Sequence, residues 1–353
     1  MNRVLNVGLI GYGMAGQAFH APIINAVPNL RLTKVVERHS HKAMERYPWV
    51  TVVDNVEVLW QDQELELVVI AVPNALHYEL AKQALLHGKH VVVEKPFTVT
   101  AQQAQELIDI AESQKLILSV FQNRRWDGDF RTIQQIVREN LLGRIVEYEA
   151  HYDRYLNYIR PNTWKEESGL GSGILYDLGS HLIDQAQVLF GTPRSVTAKL
   201  CRQREESKID DSFELRLDYS ELTVTLKAGM LVRERGPHFV IHGNKGSFVK
   251  YGLDGQEEML KKGLAPSGVS DPSWGLEPQE QWGMLNTDFG GLHCLGKIET
   301  LPGAYPDFYA NIYAAIVKSA DLCVKPEQAR NTIRIIELAA QSNAENRTVK
   351  FEL

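Results

Sequence analysis

Cysteine is scarce in this sequence. Cys201, Cys294 and Cys323 lie far apart, are odd in number and form no C-x-x-C pair. That usage suits free thiols in a reducing compartment and offers no zinc-type ligand spacing, so no metal site is expected. A basic excess is also missing: Lys and Arg total 38 against 44 Asp and Glu, for a net charge of −6. A sequence-independent nucleic-acid binder needs cationic groups to release phosphate counterions, so that class is excluded. Long hydrophobic runs are absent as well. The longest, such as Leu67–Pro73, are strand-length and far short of a membrane span. A strand-like run begins at about Leu5, which predicts no leader peptide. Together these absences predict a soluble cytoplasmic protein, and 353 residues predict two domains.

What is present is strand–helix alternation. Short apolar runs at Leu5–Ile10, Leu30–Val36, Thr51–Val53, Leu67–Val72, His90–Val93 and Leu116–Phe121 barely alternate in polarity, as expected of strands buried on both faces. Helix-like stretches separate them, one opened by Thr100 with Gln103 three residues on, the spacing of a capping box. This order predicts a doubly wound parallel sheet over residues 1–122.

After Asn123 the pattern changes. Helix-like segments near Phe130–Leu142 and Gly173–Phe190 flank a strand at Arg144–Tyr155. Strands then follow without crossovers at Ser195–Arg202, Ser212–Tyr219, Leu222–Leu231, His238–His242 and Ser247–Tyr251, with a hairpin turn at Gly243–Gly246. Residues 253–302 resist assignment. Helices at Pro306–Leu322 and Glu327–Asn343 and a strand at Arg347–Leu353 end the chain. Residues 123–353 are thus expected to form an α+β domain with a large, mostly antiparallel open sheet.

Gly11-Tyr12-Gly13-Met14-Ala15-Gly16 follows the first strand and opens a helix. Gly11 permits the turn, Gly13 lets the backbone approach a pyrophosphate, and Gly16 allows close packing, with the helix N-terminus facing the phosphates. The plain alternative is a structural glycine turn, and the acidic residue 21 positions on, Glu37, argues against it. Glu37 suits a ribose 2′-hydroxyl and hence NAD. Arg38, Ser40 and Lys42 suit a 2′-phosphate, unless they are only a solvated helix start. The balance favours NADP, with NAD as the alternative.

Two segments carry the expected chemistry. Lys95 ends a buried strand, where doubly wound folds bind ligands, and can stabilise negative charge on a reacting oxygen. The bland reading is a surface pair with Glu94. On the second segment Asp177 and His181 lie four apart and Asp184 three further on, sharing a helix face. Histidine is suited to take a hydroxyl proton near neutral pH, and a carboxylate one turn away can orient it or bind substrate. Asn123, Arg124, Arg125 and Trp126 form a polar and aromatic run at the domain junction, suited to a hydroxyl-rich ring or to Arg–carboxylate packing.

With these motifs in view, the chain resembles the glucose–fructose oxidoreductase/inositol dehydrogenase (Gfo/Idh/MocA) family over essentially its whole length. The resemblance rests on Gly11–Gly16, Val72-Pro73-Asn74-Ala75-Leu76-His77, Glu94-Lys95-Pro96 and Asp177 through Asp184. It implies that Lys95 contacts substrate, that His181 is the catalytic histidine with Asp177 as its partner, and that Pro73, Asn74, His77 and Glu94 lie beside the cofactor. Gln122–Asp127, Asp153-Arg154-Tyr155 and Ile241–Gly252 resemble the NADP-dependent scyllo-inositol dehydrogenase branch. That branch commonly has histidine where Gln122 stands and a Ser-Arg pair near Arg38. Asp153, Tyr155 and Trp164 join the candidate substrate contacts. The implied activity is hydride transfer between a nicotinamide and a hydroxyl or ketone of a cyclic polyol or sugar. The rivals are an aldose dehydrogenase, a lyase or glycosidase with tightly held NAD, and a non-catalytic cofactor sensor; retention of Lys95, Asp177 and His181 argues against the sensor. A homodimer or homotetramer is expected through the second domain's open sheet, which needs cover on both faces if both are apolar.

Overall fold

Strand β1 (Leu5–Ile10) runs parallel to β2 (Leu30–Val36), and β3 (Thr51–Val53), β4 (Leu65–Ile70), β5 (His90–Val93) and β6 (Leu118–Val120) complete a six-stranded sheet in the order β3-β2-β1-β4-β5-β6. This computed structural model describes residues 3–38, 40–161 and 163–353, with the side chain of Trp164 outside the description. All five pairings in the sheet are parallel. Val68, Val69, Val91 and Val92 are wholly buried, which is why their run lacks polar alternation. The order reverses between β1 and β4, and the carboxyl ends of these strands border the crevice where such sheets bind ligands. The capping box is formed: Gln103 N donates to Thr100 Oγ1 at 3.2 Å and Thr100 N to Gln103 Oε1 at 3.4 Å.

The compact unit around this sheet comprises Met1–Trp126, Gly255–Gly275 and Ala304–Arg330. The division at 122/123 expected from the pattern change therefore leaves out two later segments. Their attachment is polar as well as apolar. Ser119 Oγ donates to Val324 O at 2.8 Å, and buried Gln256 Oε1 accepts from Trp274 Nε1 at 2.8 Å and from Tyr305 N at 2.9 Å. Such pairing at long sequence separation leaves no local periodicity to read.

The second unit comprises Asp127–Asp254, Leu276–Gly303 and Asn331–Leu353. Its strands are β7 (Ile145–Asp153), β8 (Ser195–Cys201), β9 (Ser212–Asp218), β10 (Thr223–Gly229), β11 (Phe239–Gly243), β12 (Gly246–Lys250), β13 (Gly283–Phe289), β14 (Leu292–Ile298) and β15 (Val349–Lys350). They form one sheet in the order β14-β13-β12-β11-β7-β10-β9-β8-β15. Only β7 and β10 pair in parallel, so the sheet is mostly antiparallel. The β13–β14 hairpin lies in the segment that resisted assignment. Its signal is Gly290-Gly291, whose φ values of +59° and +81° fit a two-residue turn.

The condition of two apolar sheet faces is not met. Val224, Leu226 and Ala228 of β10 are buried, while Thr223, Thr225 and Lys227 between them are half-exposed. Glu147, Glu149 and His151 of β7 share that outer face. The apolar runs alternate with a period of two, so the second face is largely polar.

Candidate active site

The turn after β1 has the geometry a dinucleotide requires. Gly11 has φ +94°, and a Cβ there would lie 2.3 Å from Ala71 O. A Cβ on Gly16 would lie 2.3 Å from Gly11 O. These two glycines are needed by the protein's own packing. Gly13 is not: nothing stands within 4 Å of its Cβ position, so the space it keeps open is available to a ligand. Tyr12 is buried, Ala15 half-buried and Met14 exposed at the rim. Gln17 Nε2 braces the loop by donating to Tyr12 O at 2.5 Å. The residues present therefore fit a pyrophosphate.

Glu37 does something other than expected. Its carboxylate is buried, and Oε1 accepts from Ala43 N at 2.8 Å while Oε2 accepts from Lys42 N at 3.2 Å and from Ser40 Oγ. It thus caps the short helix Lys42–Arg46, satisfying donors that a helix start leaves unpaired. Arg38 and Lys42 remain exposed. Tyr12, Gln17, Lys42, Glu45 and Arg46 line a pocket of about 280 Å³ beside the glycine turn.

At the end of β5, three buried groups hold the backbone of Lys95. Tyr309 Oη lies 2.6 Å from His20 Nδ1, and His20 Nε2 lies 3.0 Å from Glu94 Oε1. The other carboxylate oxygen, Oε2, accepts from Lys95 N at 2.8 Å. Burial pushes the Glu94 carboxyl up, but the His20 hydrogen bond and charge, with Lys95 and His77 nearby, hold it below the usual range. Lys95 itself is half-buried.

His77 was expected beside the cofactor. It is instead fully buried between two carbonyls, Nδ1 2.9 Å from Pro96 O and Nε2 2.9 Å from Val72 O. The ring thereby sits between the loop after β4 and the Lys95 turn; burial holds the imidazole below its ordinary pKa, and the neutral ring donates its one N–H to one of the two carbonyls. Asn74 is buried and Pro73 exposed in the same loop.

Arg124 and Arg125 also differ from the expected substrate contacts. Arg124 Nη2 donates to Glu257 Oε2, and Arg125 Nη1 to Cys323 O at 2.9 Å and Gln328 Oε1 at 3.0 Å. Both guanidinium groups are buried, and these partners lie in the first unit; for Arg124 this is the Arg–carboxylate packing weighed against substrate binding, whereas Arg125 meets a carbonyl and an amide oxygen. Asn123 is buried, and Trp126 meets Phe308 edge-on at 5.6 Å.

In the second unit, Asp177 lies on a π-helical turn, Leu175–Gly179, that feeds the helix Ser180–Phe190 carrying His181 and Asp184. His181 and Asp184 are buried, and Asp177 is half-buried. The segment lies against β10. Sequence reading missed the partner of Asp177: Lys165 Nζ donates to its Oδ1 at 3.0 Å. Trp164-Lys165-Glu166-Glu167 reads as an ordinary charged loop, so no local signal marks it. Asp153 Oδ2 accepts from Gly236 N at 3.1 Å, and exposed Tyr155 stacks under the Arg233 guanidinium at 4.1 Å. The expected contact at Trp164 falls outside the described side chains.

Comparison with known proteins agrees with this geometry. Residues 5–122 match the family described as oxidoreductase, NAD-binding Rossmann fold, and residues 134–351 match its C-terminal alpha/beta domain. The chain belongs to the Gfo/Idh/MocA oxidoreductase family. Like its family, it is an NAD(P)-dependent dehydrogenase. It is 39% identical to the scyllo-inositol 2-dehydrogenase (NADP(+)) of Bacillus subtilis, over 99% of this chain and 96% of that protein. The solved structure of the Bacillus subtilis oxidoreductase yvaA has a TM-score of 0.93 at 38% identity, covering 99% of each chain. An oxidoreductase structure from Bacteroides fragilis has a TM-score of 0.91 at 44% identity, covering 99% of this Gfo/Idh/MocA chain and 100% of its own. Among the described residues no group of three His, Cys, Asp or Glu could hold a metal ion, and no helix is long and apolar enough to cross a membrane.

Proposed function

We propose that the chain is an NADP-preferring dehydrogenase of a CH–OH group on a cyclic polyol, with scyllo-inositol and its inosose as the first substrate pair to test. The observation that carries the cofactor preference is the sequestered Glu37. An acidic residue selects NAD by accepting from the ribose 2′-hydroxyl and repelling a 2′-phosphate. Here that carboxylate is engaged by two backbone N–H groups and a hydroxyl, which also disperse its charge. Exposed Arg38 and Lys42 then favour a phosphate. The substrate reading is supported by near full-length similarity to a scyllo-inositol dehydrogenase that uses NADP(+).

A bound nicotinamide supplies the hydride acceptor or donor. On this reading His181 takes the hydroxyl proton during oxidation, Lys95 donates to the reacting oxygen, and Asp177 orients substrate. Gly11, Gly13 and Gly16 shape the phosphate turn. We also propose self-association as a homodimer or homotetramer in the cytoplasm. Its surface would be the largely polar outer face of the nine-stranded sheet.

The experiment is a steady-state screen of inositols and aldoses with NADP(+) and NAD(+). The reading expects the highest kcat/KM for scyllo-inositol with NADP(+). Fastest turnover of an aldose, or of any substrate with NAD(+), contradicts it.

A further inference from the structure

We propose that Lys165 is a substrate-contacting residue which, with Asp177, selects substrates carrying oxygens on adjacent carbons. The proposal rests on the polyol reading above. The Lys165 ammonium and the Asp177 carboxylate stand 3.0 Å apart, with side chains 34% and 28% exposed. An ion pair so open to water contributes little to stability.

The loop that presents Lys165 is held very differently. Glu166, the next residue, is 3% exposed and accepts from Arg204 Nη2 at 2.8 Å and Arg160 Nε at 2.9 Å. Arg204, 4% exposed, also donates from Nε to Asp211 Oδ2 at 2.9 Å and from Nη1 to Tyr158 O at 2.8 Å. Asp211 is wholly buried and accepts in addition from Gln203 N at 2.7 Å and Arg204 N at 3.1 Å. Charges taken out of water are costly unless every partner is in place, and here each carboxylate oxygen is paired. The assembly pins Tyr158, Arg160 and Glu166 to the β8–β9 connection and so fixes the backbone beside Lys165, which reaches Asp177. A weak, solvent-open pair on a rigid buried mount is arranged for a ligand rather than for stability.

The chemistry of that ligand follows from the pair. An ammonium only donates and a carboxylate only accepts. Side by side, they complement a vicinal diol or an α-hydroxy ketone: Nζ donates to one oxygen while Asp177 accepts from the hydroxyl on the neighbouring carbon. Asp177 lies four residues before His181 along the same helical segment, so the recognised carbons adjoin the expected proton acceptor.

The test uses the full chain with NADP(+) and NAD(+) over inositols, aldoses and their deoxy analogues, taking the fastest substrate as the probe. If that substrate is not a cyclic polyol the polyol reading fails, and Lys165 is still read on it. Lys165→Met is expected to raise KM by about tenfold to a hundredfold, the worth of one charge-assisted hydrogen bond. It should shrink the preference for the parent over its deoxy analogue, with the NADPH dissociation constant and Tm unchanged. Lys165→Arg should restore most of the loss. A KM within about threefold of the unmutated enzyme overturns the proposal. So does a loss that Lys165→Arg does not restore and that accompanies a lower Tm.

Discussion

Asp129 offers a quantitative test of how charge is buried in the second unit. The residue is 1% exposed; Oδ1 accepts from Phe130 N at 2.6 Å, and His238 Nε2 stands 3.8 Å from Oδ2. Burial, reinforced by the negative charge of Asp254 and Glu277 and opposed by Lys250, pushes its carboxyl up to about 7 from an ordinary 3.8. Lys250 itself pairs with Glu277 at 2.8 Å, so it answers that carboxylate first. An acid whose folded pKa exceeds its unfolded value destabilises the fold as pH rises, because the unfolded chain loses the proton more readily. The penalty begins near pH 4 and is complete above pH 7. The gap is worth on the order of 4 kcal/mol at pH 8 and under about 1 kcal/mol at pH 4. Asp129→Asn keeps the acceptor for Phe130 N and removes the titration. Denaturant unfolding of both proteins from pH 4.5 to 8 measures the difference. The variant is expected to gain stability relative to the unmutated chain as pH rises, melting several degrees higher at pH 8. A variant that loses ground with rising pH would show the opposite, that Asp129 is a stabilising carboxylate.

Other sites give equally direct expectations. Glu37→Gln should cost about 1 kcal/mol by weakening the cap on helix Lys42–Arg46 yet leave the KM for NADP(+) within about threefold, because the carboxylate is already engaged by Ser40 Oγ, Lys42 N and Ala43 N; thermal melts and initial rates check both. Arg38→Ala or Lys42→Ala should raise the KM for NADP(+) by about tenfold or more with little effect on NAD(+), one charge-assisted bond being lost. Equal effects on both cofactors would contradict the assignment. Tyr309→Phe deletes the far end of the chain that holds Lys95 through His20 and Glu94, so kcat should fall by about threefold to tenfold while the NADPH dissociation constant stays fixed.

Much of this was legible in the sequence where the signal was local. The valine-rich runs of β4 and β5, the three glycines after β1 and the Thr100–Gln103 cap each depend on neighbours along the chain, and the structure places them as read, β4 two residues earlier at Leu65–Ile70. Glu37 was legible as a residue but not as a role, because only the fold shows its oxygens meeting Lys42 N and Ala43 N. For His77, Arg124 and Arg125, polar type and position suggested a ligand, while the protein partners Pro96 O, Val72 O, Glu257 and Cys323 O emerge only in the fold. Lys165 escaped notice because its partner lies 12 residues away on another element. The return of residues 255–275 and 304–330 to the first unit likewise rests on contacts such as Gln256 with Tyr305, which no periodicity announces.

Lys95 and His181 are proposed to carry out dehydrogenation of a polyol hydroxyl with NADP(+). The most direct measurement is the rate of NADPH formation at saturating scyllo-inositol and NADP(+), compared between the unmutated chain and Lys95→Met, with NADPH binding measured on both. One donor aimed at developing oxyanion charge is typically worth a hundredfold or more, so the rate should fall by at least about a hundredfold while NADPH binds as before. Near-native turnover in Lys95→Met, or no NADPH formed by the unmutated chain, would contradict the claim.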